Sequence, residues 1–371
     1  MTPFKLHVSQ EQIDDLNDRL TRTRLPDRTP GPDWAFGTDP DWLADLIGYW
    51  RDGFDWRAQE AALNAFDQLM VPLHGIDLHV IRAEGRGPAP RPLLLLHGWP
   101  GSVFEFLDIL PLLTDPARFG GRAEDAFTVI APSLPGFALS FTPGQRRFST
   151  AEMADVFADL MTALGFDRFG VQGGDWGAFT GAALALRHPG RVEGLHLNYL
   201  PLRPEPSAFE QEETAYAMIQ GTKPQTLAYA LSDSPAGLAA WIGEKFHRWT
   251  DHDGDPFTAV SRDRMLANIA LYWFTGAIGS SFWPYFARLH GDWPVPDGAQ
   301  VTVPMGHAVF PREIRRPGRE AASRMFTDIR HWTEMKKGGH FAAMEQPVAL
   351  ARDVGGFFLR CTRDNTAVPC P

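Results

Sequence analysis

Apolar positions in the first 70 residues of the 371-residue chain recur at helical spacing. Ile13, Leu16 and Leu20 form one such stripe, and Ser9 just before it is a candidate N-cap. Four tryptophans fall in the same stretch, a high density of large aromatic side chains for short helices. We therefore predict a helical N-terminal segment over residues 1–70 that packs on a larger body.

The pattern changes to alternating strands and helices over residues 71–200. The segment VPLHGIDLHVIRAEG alternates apolar and polar positions as a β-hairpin does, and LLLL at 93–96 is typical of a strand buried on both faces. Further strands are predicted over 127–137, 168–174 and 193–200, with helices over 103–113, 150–164 and 176–187. This alternation predicts a mostly parallel α/β sheet flanked by helices.

Residues 201–298 interrupt the alternation with a stretch that is helical in pattern, rich in Trp and Phe, and broken by Pro. Alternation resumes over residues 299–371, with predicted strands at 300–310 and 329–334 and predicted helices at 318–327 and 347–360. We interpret 71–200 and 299–371 as two parts of one core. An insertion between strands of one sheet lies above their carboxyl ends, so residues 201–298 are interpreted as a helical lid.

Composition narrows the class of protein further. The chain is 44% hydrophobic and 22% charged, and its net charge of −10 without any basic stripe argues against a nucleic-acid partner. The first residues lack the apolar core of a signal peptide, and no run approaches about 18 apolar residues. We therefore expect a cytoplasmic protein without a membrane anchor. The two cysteines, Cys361 and Cys370, leave open either two thiols or a disulfide.

The stretch GGDWG has the pattern of a nucleophile elbow, the sharp strand-to-helix turn of α/β-hydrolases, but with Asp where most such enzymes have Ser. Gly173, Gly174 and Gly177 would let the chain turn tightly and raise the Asp175 side chain above the sheet. An Asp can also simply cap a helix, but a cap needs neither flanking glycines nor a preceding strand. We interpret Asp175 as a nucleophile.

The stretch HGWPGS at 97–102 follows the buried strand LLLL and could be an ordinary Gly/Pro turn. In α/β-hydrolases, however, this loop and the residue after the nucleophile each donate a backbone N–H to an oxyanion. The backbone amides of Trp99 and Trp176 are therefore the candidate oxyanion hole.

A nucleophile of this kind needs a base and an acid that orients the base, both late in the chain. His340 lies in GGHFAAMEQP, after the last predicted strand, and is the candidate base. Glu313, just past the strand that follows the lid, is the candidate acid, with Asp328 and Glu334 as competitors. His307 lies within a predicted strand and is interpreted as structural.

An Asp nucleophile implies attack at an sp³ carbon, because the product is then an ester that activated water can cleave, whereas a Ser nucleophile would leave a stable ether. Epoxides and alkyl halides are the natural substrates. An epoxide oxygen needs a proton donor, which Tyr216 or Tyr285 of the lid could supply. Trp176 beside the nucleophile equally suits a halide site, so a haloalkane dehalogenase and a non-catalytic binding protein of this fold stay open. No G-x-S-x-G motif supports a serine esterase.

Over nearly its whole length the sequence resembles the microsomal-type epoxide hydrolases of the α/β-hydrolase superfamily. The segments that carry the resemblance are the Trp-rich N-terminal stretch, HGWPGS, GGDWG, IQGTKPQTLAYALSDSPAGLAAWIGEKF, LYWFTGAIGSS, FPREI and GGHFAAMEQP. The resemblance implies Asp175 as nucleophile, His340 as base and Glu313 as its partner. It also implies Tyr216 and Tyr285 as the pair that protonates the epoxide oxygen.

What the resemblance implies for function is hydrolysis of an epoxide to a vicinal diol through an aspartyl ester, with water as the second substrate. Neither a metal nor an organic cofactor is implied. The lid carries five tryptophans, which favour a bulky or aromatic epoxide; these are Trp241, Trp249, Trp273, Trp283 and Trp293. A natural-product intermediate as substrate and a homodimeric state are further expectations.

Overall fold

The computed structural model describes residues 1–203 and 212–363. Nine strands in these ranges form one sheet in the order β1-β2-β3-β5-β4-β6-β7-β8-β9. The strands are β1 (Thr2–Phe4), β2 (Asp67–Leu73), β3 (Ile76–Ala83), β4 (Arg91–Leu96), β5 (Phe127–Pro132), β6 (Phe169–Gly173), β7 (Val192–Leu197), β8 (Met305–Val309) and β9 (Ile329–Glu334).

The sheet is antiparallel at one end and parallel through its centre, as the alternating pattern predicts. Strands β1, β2 and β3 pair antiparallel, β3 also pairs antiparallel with β5, and every pairing among β4 to β9 is parallel. The run Leu93–Leu96 lies at the centre and is buried on both faces. Because β4 and β6 are parallel neighbours, with Leu96 opposite Gly173, the chain segments that follow them emerge side by side.

The α-helices of the described ranges flank the sheet or cover its carboxyl end. They are α1 (Gln10–Thr21), α2 (Pro40–Asp52), α3 (Trp56–Asn64), α4 (Leu110–Thr114), α5 (Thr150–Ala163), α6 (Asp175–Arg187), α7 (Ala215–Thr222), α8 (Pro224–Asp233), α9 (Pro235–Trp249), α10 (Arg262–Thr275), α11 (Ile278–Ser281), α12 (Trp283–His290), α13 (Arg319–Ser323), α14 (Ala342–Glu345) and α15 (Pro347–Arg363). Helices α7 to α12 lie in sequence between β7 and β8, within the segment interpreted as a lid.

The N-terminal helices pack mainly on the helices between β7 and β8. Ser9 caps α1 through a capping box with Gln12, as predicted. Trp34 stacks on His247 of α9 with ring centroids 3.6 Å apart, and Arg19 forms an ion pair with Asp233 at 3.0 Å. The N-terminal segment therefore braces the helices that cover the carboxyl end of the sheet.

Two predicted elements are shorter in the structure. The helix predicted over 103–113 is a 3₁₀ turn, Val103–Phe106, followed by the short α4. The strand predicted over 300–310 pairs regularly only from Met305, because Pro304 has no N–H for the ladder and Val301 makes an isolated bridge to Phe326. Periodicity alone does not register such local breaks.

No helix in the described ranges is long and apolar enough to cross a membrane. Cys361 is buried on α15, whereas Cys370 lies outside the described residues.

Candidate active site

Asp175 stands on a sharp turn between β6 and α6, with a positive φ of 45° that a non-glycine residue rarely adopts. The neighbouring glycines make this turn sterically feasible. A Cβ on Gly173 would lie 2.5 Å from the Gly177 carbonyl oxygen, and one on Gly177 would overlap the carbonyl of Leu96. The turn therefore places the Asp175 carboxylate above the sheet at the amino end of α6, where the helix dipole stabilises a negative charge.

The HGWPGS loop meets Asp175 from the neighbouring strand. The Trp99 amide donates a hydrogen bond to Asp175 Oδ1 at 2.7 Å, and a Cβ on Gly98 would overlap that same oxygen. The Trp176 amide follows Asp175 directly in the first turn of α6. One of the two predicted oxyanion donors thus already contacts the carboxylate whose oxygen would carry the charge.

The helices over the sheet hold this loop in place. From α10, Asn268 Nδ2 donates to the Pro100 carbonyl oxygen and the Tyr272 hydroxyl donates to the Gly101 carbonyl oxygen, both at 2.7 Å. Asn268 and Tyr272 are fully buried, so these bonds are shielded from water. The loop is fixed from above as well as from the sheet.

His340 and Glu313 are brought to Asp175 as predicted from the chain order. His340 Nε2 lies 3.5 Å from Asp175 Oδ2, and His340 Nδ1 lies 2.8 Å from Glu313 Oε1. Glu313 Oε1 also accepts from the Ile314 amide at 2.7 Å, which fixes the carboxylate. The imidazole therefore bridges two carboxylates, with Glu313 on its far side.

The other candidate residues have different partners. Asp328 accepts from Arg330, and Glu334 accepts from the indole N–H of Trp332. The buried His307 contacts the Leu197 carbonyl oxygen through Nδ1 at 2.9 Å, within the sheet. These contacts leave Glu313 as the acid beside His340.

The electrostatics of His340 follow from these neighbours. Burial disfavours the imidazolium, but the carboxylates of Glu313 and Asp175 outweigh burial and hold the pKa of His340 well above its ordinary value. His340 is therefore cationic at neutral pH while Asp175 carries its charge. Any reaction that neutralises Asp175 removes one of the two charges that keep the imidazole protonated.

A buried carboxyl group that sequence analysis did not single out shapes the His340 loop. Glu345 accepts hydrogen bonds from the amides of Gly339 at 2.9 Å, Phe341 at 3.0 Å and Asp251 at 2.8 Å. Burial raises the pKa of Glu345 to about 7, against the effect of these amides. The His340 amide in turn donates to the Trp249 carbonyl oxygen at 2.8 Å. The loop is thereby tied to the end of α9.

Tyr216 on α7 and Tyr285 on α12 line the same pocket, and their hydroxyl oxygens lie within hydrogen-bond distance of each other, at 3.4 Å. The Tyr216 ring stacks on Trp99, and the Tyr285 ring meets Trp176 edge-on. Burial raises the pKa of both phenols well above the ordinary value near 10, so both stay protonated at neutral pH. Two neutral hydroxyl donors thus converge in the pocket.

The pocket has a volume of about 430 Å³, which suits a medium-sized organic molecule. Its walls are mostly aromatic and aliphatic, and they are formed by Asp175, Trp176, Phe179, Tyr199, Thr214, Ala215, Tyr216, Ala217, Met218, Tyr285, Arg288, Ile314 and Arg315. None of the five lid tryptophans named from the sequence is among these walls. Trp249 packs behind Tyr216 instead, with ring centroids 5.3 Å apart.

Two cations near the tyrosines were missed from the sequence. The Arg288 guanidinium, one helical turn beyond Tyr285, lies 5.1 Å from the Trp176 ring centroid. Lys245 Nζ lies 4.4 Å from the Tyr216 ring centroid although its side chain is largely buried. Arg288 follows Tyr285 by three residues, a spacing that places both side chains on the same face of a helix, and this was the signal in the sequence that could have identified Arg288. Within the described ranges, no group of three or more His, Cys, Asp or Glu is arranged to hold a metal ion.

Comparison with known proteins identifies relatives along almost the entire chain. Residues 1–106 match the family described as epoxide hydrolase N terminus, and residues 91–268 match the family described as alpha/beta hydrolase fold. A protein of Stigmatella aurantiaca (strain DW4/3-1) whose name places it among the epoxide hydrolases is 44% identical, over 95% of this chain and 84% of the relative. Epoxide hydrolase 1 of Oryctolagus cuniculus is 36% identical, over 96% of this chain and 88% of the relative.

A solved structure extends the similarity to three dimensions. The crystal structure of juvenile hormone epoxide hydrolase from the silkworm Bombyx mori matches with a TM-score of 0.89 at 29% identity, covering 98% of this chain and 95% of that chain. The α/β-hydrolase fold predicted from the sequence is thereby confirmed.

Proposed function

Because the chain belongs to the epoxide hydrolase family and is an epoxide hydrolase, we propose that it works through a covalent ester on Asp175. The observation that supports this most directly is that Asp175 lies between two sets of groups. The hydroxyls of Tyr216 and Tyr285 line the pocket with it on one side. The imidazole of His340, held by Glu313, approaches it on the other.

In the first half-reaction the two tyrosine hydroxyls hold the epoxide oxygen. An Asp175 oxygen donates an electron pair to a ring carbon, the carbon–oxygen bond of the ring breaks, and the released alkoxide takes a proton from one tyrosine. Protonation by a positioned acid of this kind is worth about 10²- to 10⁴-fold in rate. A neutral phenol is required, and burial keeps both tyrosines in that form.

The second half-reaction begins when esterification removes the negative charge of Asp175. The pKa of His340 then falls, because one of the carboxylates that raised it is neutral. The imidazolium releases its extra proton, which restores the tyrosine, and the neutral imidazole can then take a proton from water. The water oxygen bonds to the ester carbon, and the amides of Trp99 and Trp176 stabilise the oxyanion. Collapse breaks the bond to the substrate oxygen, which leaves as the diol with the proton from the imidazole. The remaining acidic proton of Asp175 passes to the imidazole, which returns Asp175 to its carboxylate and His340 to its cationic form.

The walls of the 430 Å³ pocket favour an epoxide with a bulky apolar or aromatic substituent. The proposal also includes a natural-product intermediate as the substrate, a homodimeric state and a cytoplasmic location. These three expectations come from the sequence, and each needs its own test. Activity on a panel of alkyl and aryl epoxides, sedimentation analysis and cell fractionation would test them.

The ester is tested by a single turnover in ¹⁸O-water followed by mass spectrometry of the peptide that contains Asp175. Attack of water on the ester carbonyl leaves one labelled oxygen on Asp175, so the peptide should become heavier. An unlabelled peptide, with the label in the diol, would mean direct hydration and would refute the mechanism.

The tyrosines are tested by the double variant Tyr216→Phe plus Tyr285→Phe, with Tyr229→Phe as an exposed control on α8. Ester formation from styrene oxide should fall by at least about 10²-fold in the double variant and stay unchanged in the control. Release of chloride from haloalkanes, measured in parallel, addresses the dehalogenase alternative. Unchanged epoxide turnover in the double variant would contradict the proposed role of the tyrosines.

A further inference from the structure

We propose that Glu105 positions the water molecule that hydrolyses the ester on Asp175, an inference that rests on the proposed covalent mechanism. Glu105 lies in the 3₁₀ turn after the HGWPGS loop and has no part in the steps described above. Its carboxyl group reaches into a small cavity that also contains the edges of Asp175 and His340.

Among the described residues, Asp175 is the one that lines both this cavity and the 430 Å³ pocket. The two tyrosines line the pocket and not the cavity, whereas His340 and Glu105 line the cavity and not the pocket. The cavity measures about 20 Å³, which is room for one water molecule. The epoxide and the hydrolytic water therefore have separate places on opposite sides of the Asp175 carboxylate.

The side chains of His97, Gln172 and Asn198, which also line the cavity, are engaged with one another or with backbone. His97 Nε2 accepts from the Leu134 amide at 3.1 Å, and Gln172 Nε2 donates to Asn198 Oδ1 at 2.8 Å. No group among the described residues hydrogen-bonds the Glu105 carboxyl. Both of its oxygens are thus available to a water molecule that also contacts His340.

The sequence makes room for this carboxyl group. A Cβ on Gly101 would overlap Glu105 Oε1, just as a Cβ on Gly98 would overlap the Asp175 carboxylate. The two glycines of HGWPGS each leave space for one carboxyl group. The loop therefore fits Glu105 and Asp175 against a single stretch of backbone.

Burial raises the pKa of Glu105 to about 8; the His340 charge lowers it and the Asp175 charge raises it further. At neutral pH the group is a neutral carboxylic acid, so its carbonyl oxygen can accept a hydrogen bond without adding charge. A carboxylate there would repel the oxyanion that forms on Asp175. The neutral form is the one that suits ester hydrolysis.

Water donates one hydrogen bond to His340 Nε2 and the other to Glu105, which directs a lone pair of its oxygen toward the ester carbon of Asp175. The imidazole takes the first proton, the oxygen–carbon bond forms, and the carbonyl electron pair moves to the Asp175 oxygen. Glu105 keeps its own proton throughout. It acts as a positioning residue, and its loss affects hydrolysis rather than ester formation.

The experiment is single-turnover kinetics with styrene oxide on the full-length enzyme, with the ester followed by intact-protein mass spectrometry. Glu105→Ala should slow ester hydrolysis on the order of 100-fold, the cost of a misplaced reactant, while ester formation stays within a factor of about three. Glu105→Gln retains a neutral group with a carbonyl acceptor and should restore hydrolysis to near the parental rate at pH 7. Asp108→Ala removes an exposed carboxylate three residues further on and serves as the control.

The pH profile separates positioning from a merely structural role. Ester hydrolysis by the parent should decline as Glu105 ionises around pH 8, and this decline should be absent in Glu105→Gln. The titratable groups that face Glu105 are the same in the parent and in Glu105→Gln. They are Asp175, His340, His97 and Tyr272.

The outcomes are distinguishable. An ester that forms in Glu105→Ala and hydrolyses at the parental rate overturns the inference and leaves the covalent mechanism standing. An equal loss in ester formation and hydrolysis, or a Glu105→Gln variant as slow as Glu105→Ala, also overturns it. If the parent forms no ester at all, the proposed function itself fails.

Discussion

Replacement of Glu313 by Gln isolates the charge of the acid from its hydrogen bonds. Glu313 Oε1 accepts from His340 Nδ1 at 2.8 Å and from the Ile314 amide at 2.7 Å. A glutamine oxygen in that place keeps both bonds. The reversed amide would point its NH₂ at two donors, so the glutamine oxygen stays in place. The variant therefore preserves the imidazole tautomer and removes the negative charge.

The magnitude follows from what that charge contributes. A hydrogen bond to a charged group contributes about 1.5–3 kcal/mol and a neutral one about 0.5–1.5 kcal/mol. The ends of these ranges differ by about 1–1.5 kcal/mol, which corresponds to roughly 5- to 13-fold slower ester hydrolysis. Glu313→Leu, which leaves the buried Nδ1–H of His340 without an acceptor, should cost about 100-fold or more. Ester formation should change little in either variant, because His340 does not act in that step.

The charge also sets the pH dependence. Glu313 raises the pKa of His340, so removal of its charge lowers that pKa. The rate of ester hydrolysis, which rises with pH as the imidazole loses its proton, should then rise at a lower pH. Glu313→Gln should therefore be slower at its plateau yet reach that plateau at lower pH than the parent. The acid shift distinguishes a lost charge from a general disturbance of the site.

Rapid mixing with styrene oxide, acid quench and intact-protein mass spectrometry measure the two steps separately. Glu313 Oε2 has no hydrogen-bond partner among the described residues, so the new NH₂ stays unsatisfied and should cost about 1–3 kcal/mol of stability. Thermal unfolding must show that each variant is folded at the assay temperature. Hydrolysis within twofold of the parent in both folded variants would refute the reasoning.

Two further predictions concern space and charge elsewhere in the chain. Gly98→Ala should abolish ester formation, since its Cβ would overlap the Asp175 carboxylate, and a rate within tenfold of the parent in the same quench assay would contradict this. Asp353→Asn should destabilise the protein by about 3–5 kcal/mol at pH 7, because the buried carboxylate bonds His196 at 2.9 Å and His331 at 2.7 Å, which lower its pKa. A carboxyl group whose pKa is lowered by folding stabilises the fold at pH values above its unfolded-state pKa of about 3.9. Urea titrations should therefore show that the stability difference between parent and variant shrinks as the pH falls below that pKa. A stability difference that stays constant with pH would contradict an origin in the Asp353 charge.

The fold was predictable because its signals are local and repeated. Hydrophobic runs such as Leu93–Leu96 and the alternation of strands and helices predict a mostly parallel sheet flanked by helices, although they do not give the order of its strands. The elbow at Asp175 was equally accessible, since its glycines are adjacent in sequence and their geometry follows from sterics alone.

Other features depend on contacts between distant segments, and no short pattern encodes them. Glu345 organises the His340 loop through three amides, one of them from Asp251 at the end of the helices over the sheet. Asn268 and Tyr272 brace the HGWPGS loop from α10. Their importance appears only when the chain is folded, because a buried polar group acquires meaning from its partner.

The tryptophans between β7 and β8 show how a residue count differs from a residue's place in the fold. Their density favours a bulky or aromatic epoxide, but Trp249 lies fully buried behind Tyr216, and Trp293 packs on Phe179 with ring centroids 5.6 Å apart. Large aromatic side chains serve the packing of short helices as readily as they line pockets. Only the topology of the helices decides which of the two they do.

The HGWPGS loop connects the two halves of the proposed reaction in a way that its motif does not reveal. The motif was interpreted as a donor of one amide, that of Trp99, to an oxyanion. The structure adds that Gly98 makes room for the nucleophile and Gly101 makes room for Glu105. Asp175 lies where the pocket and the small cavity meet, and Glu105 lines that cavity. If Glu105 holds the water, one loop positions the attacking carboxylate, stabilises the oxyanion and accommodates the group that aims the water. Substitutions at its two glycines should then separate the steps: Gly98 variants would lose ester formation, whereas Gly101 variants would form the ester and fail to hydrolyse it.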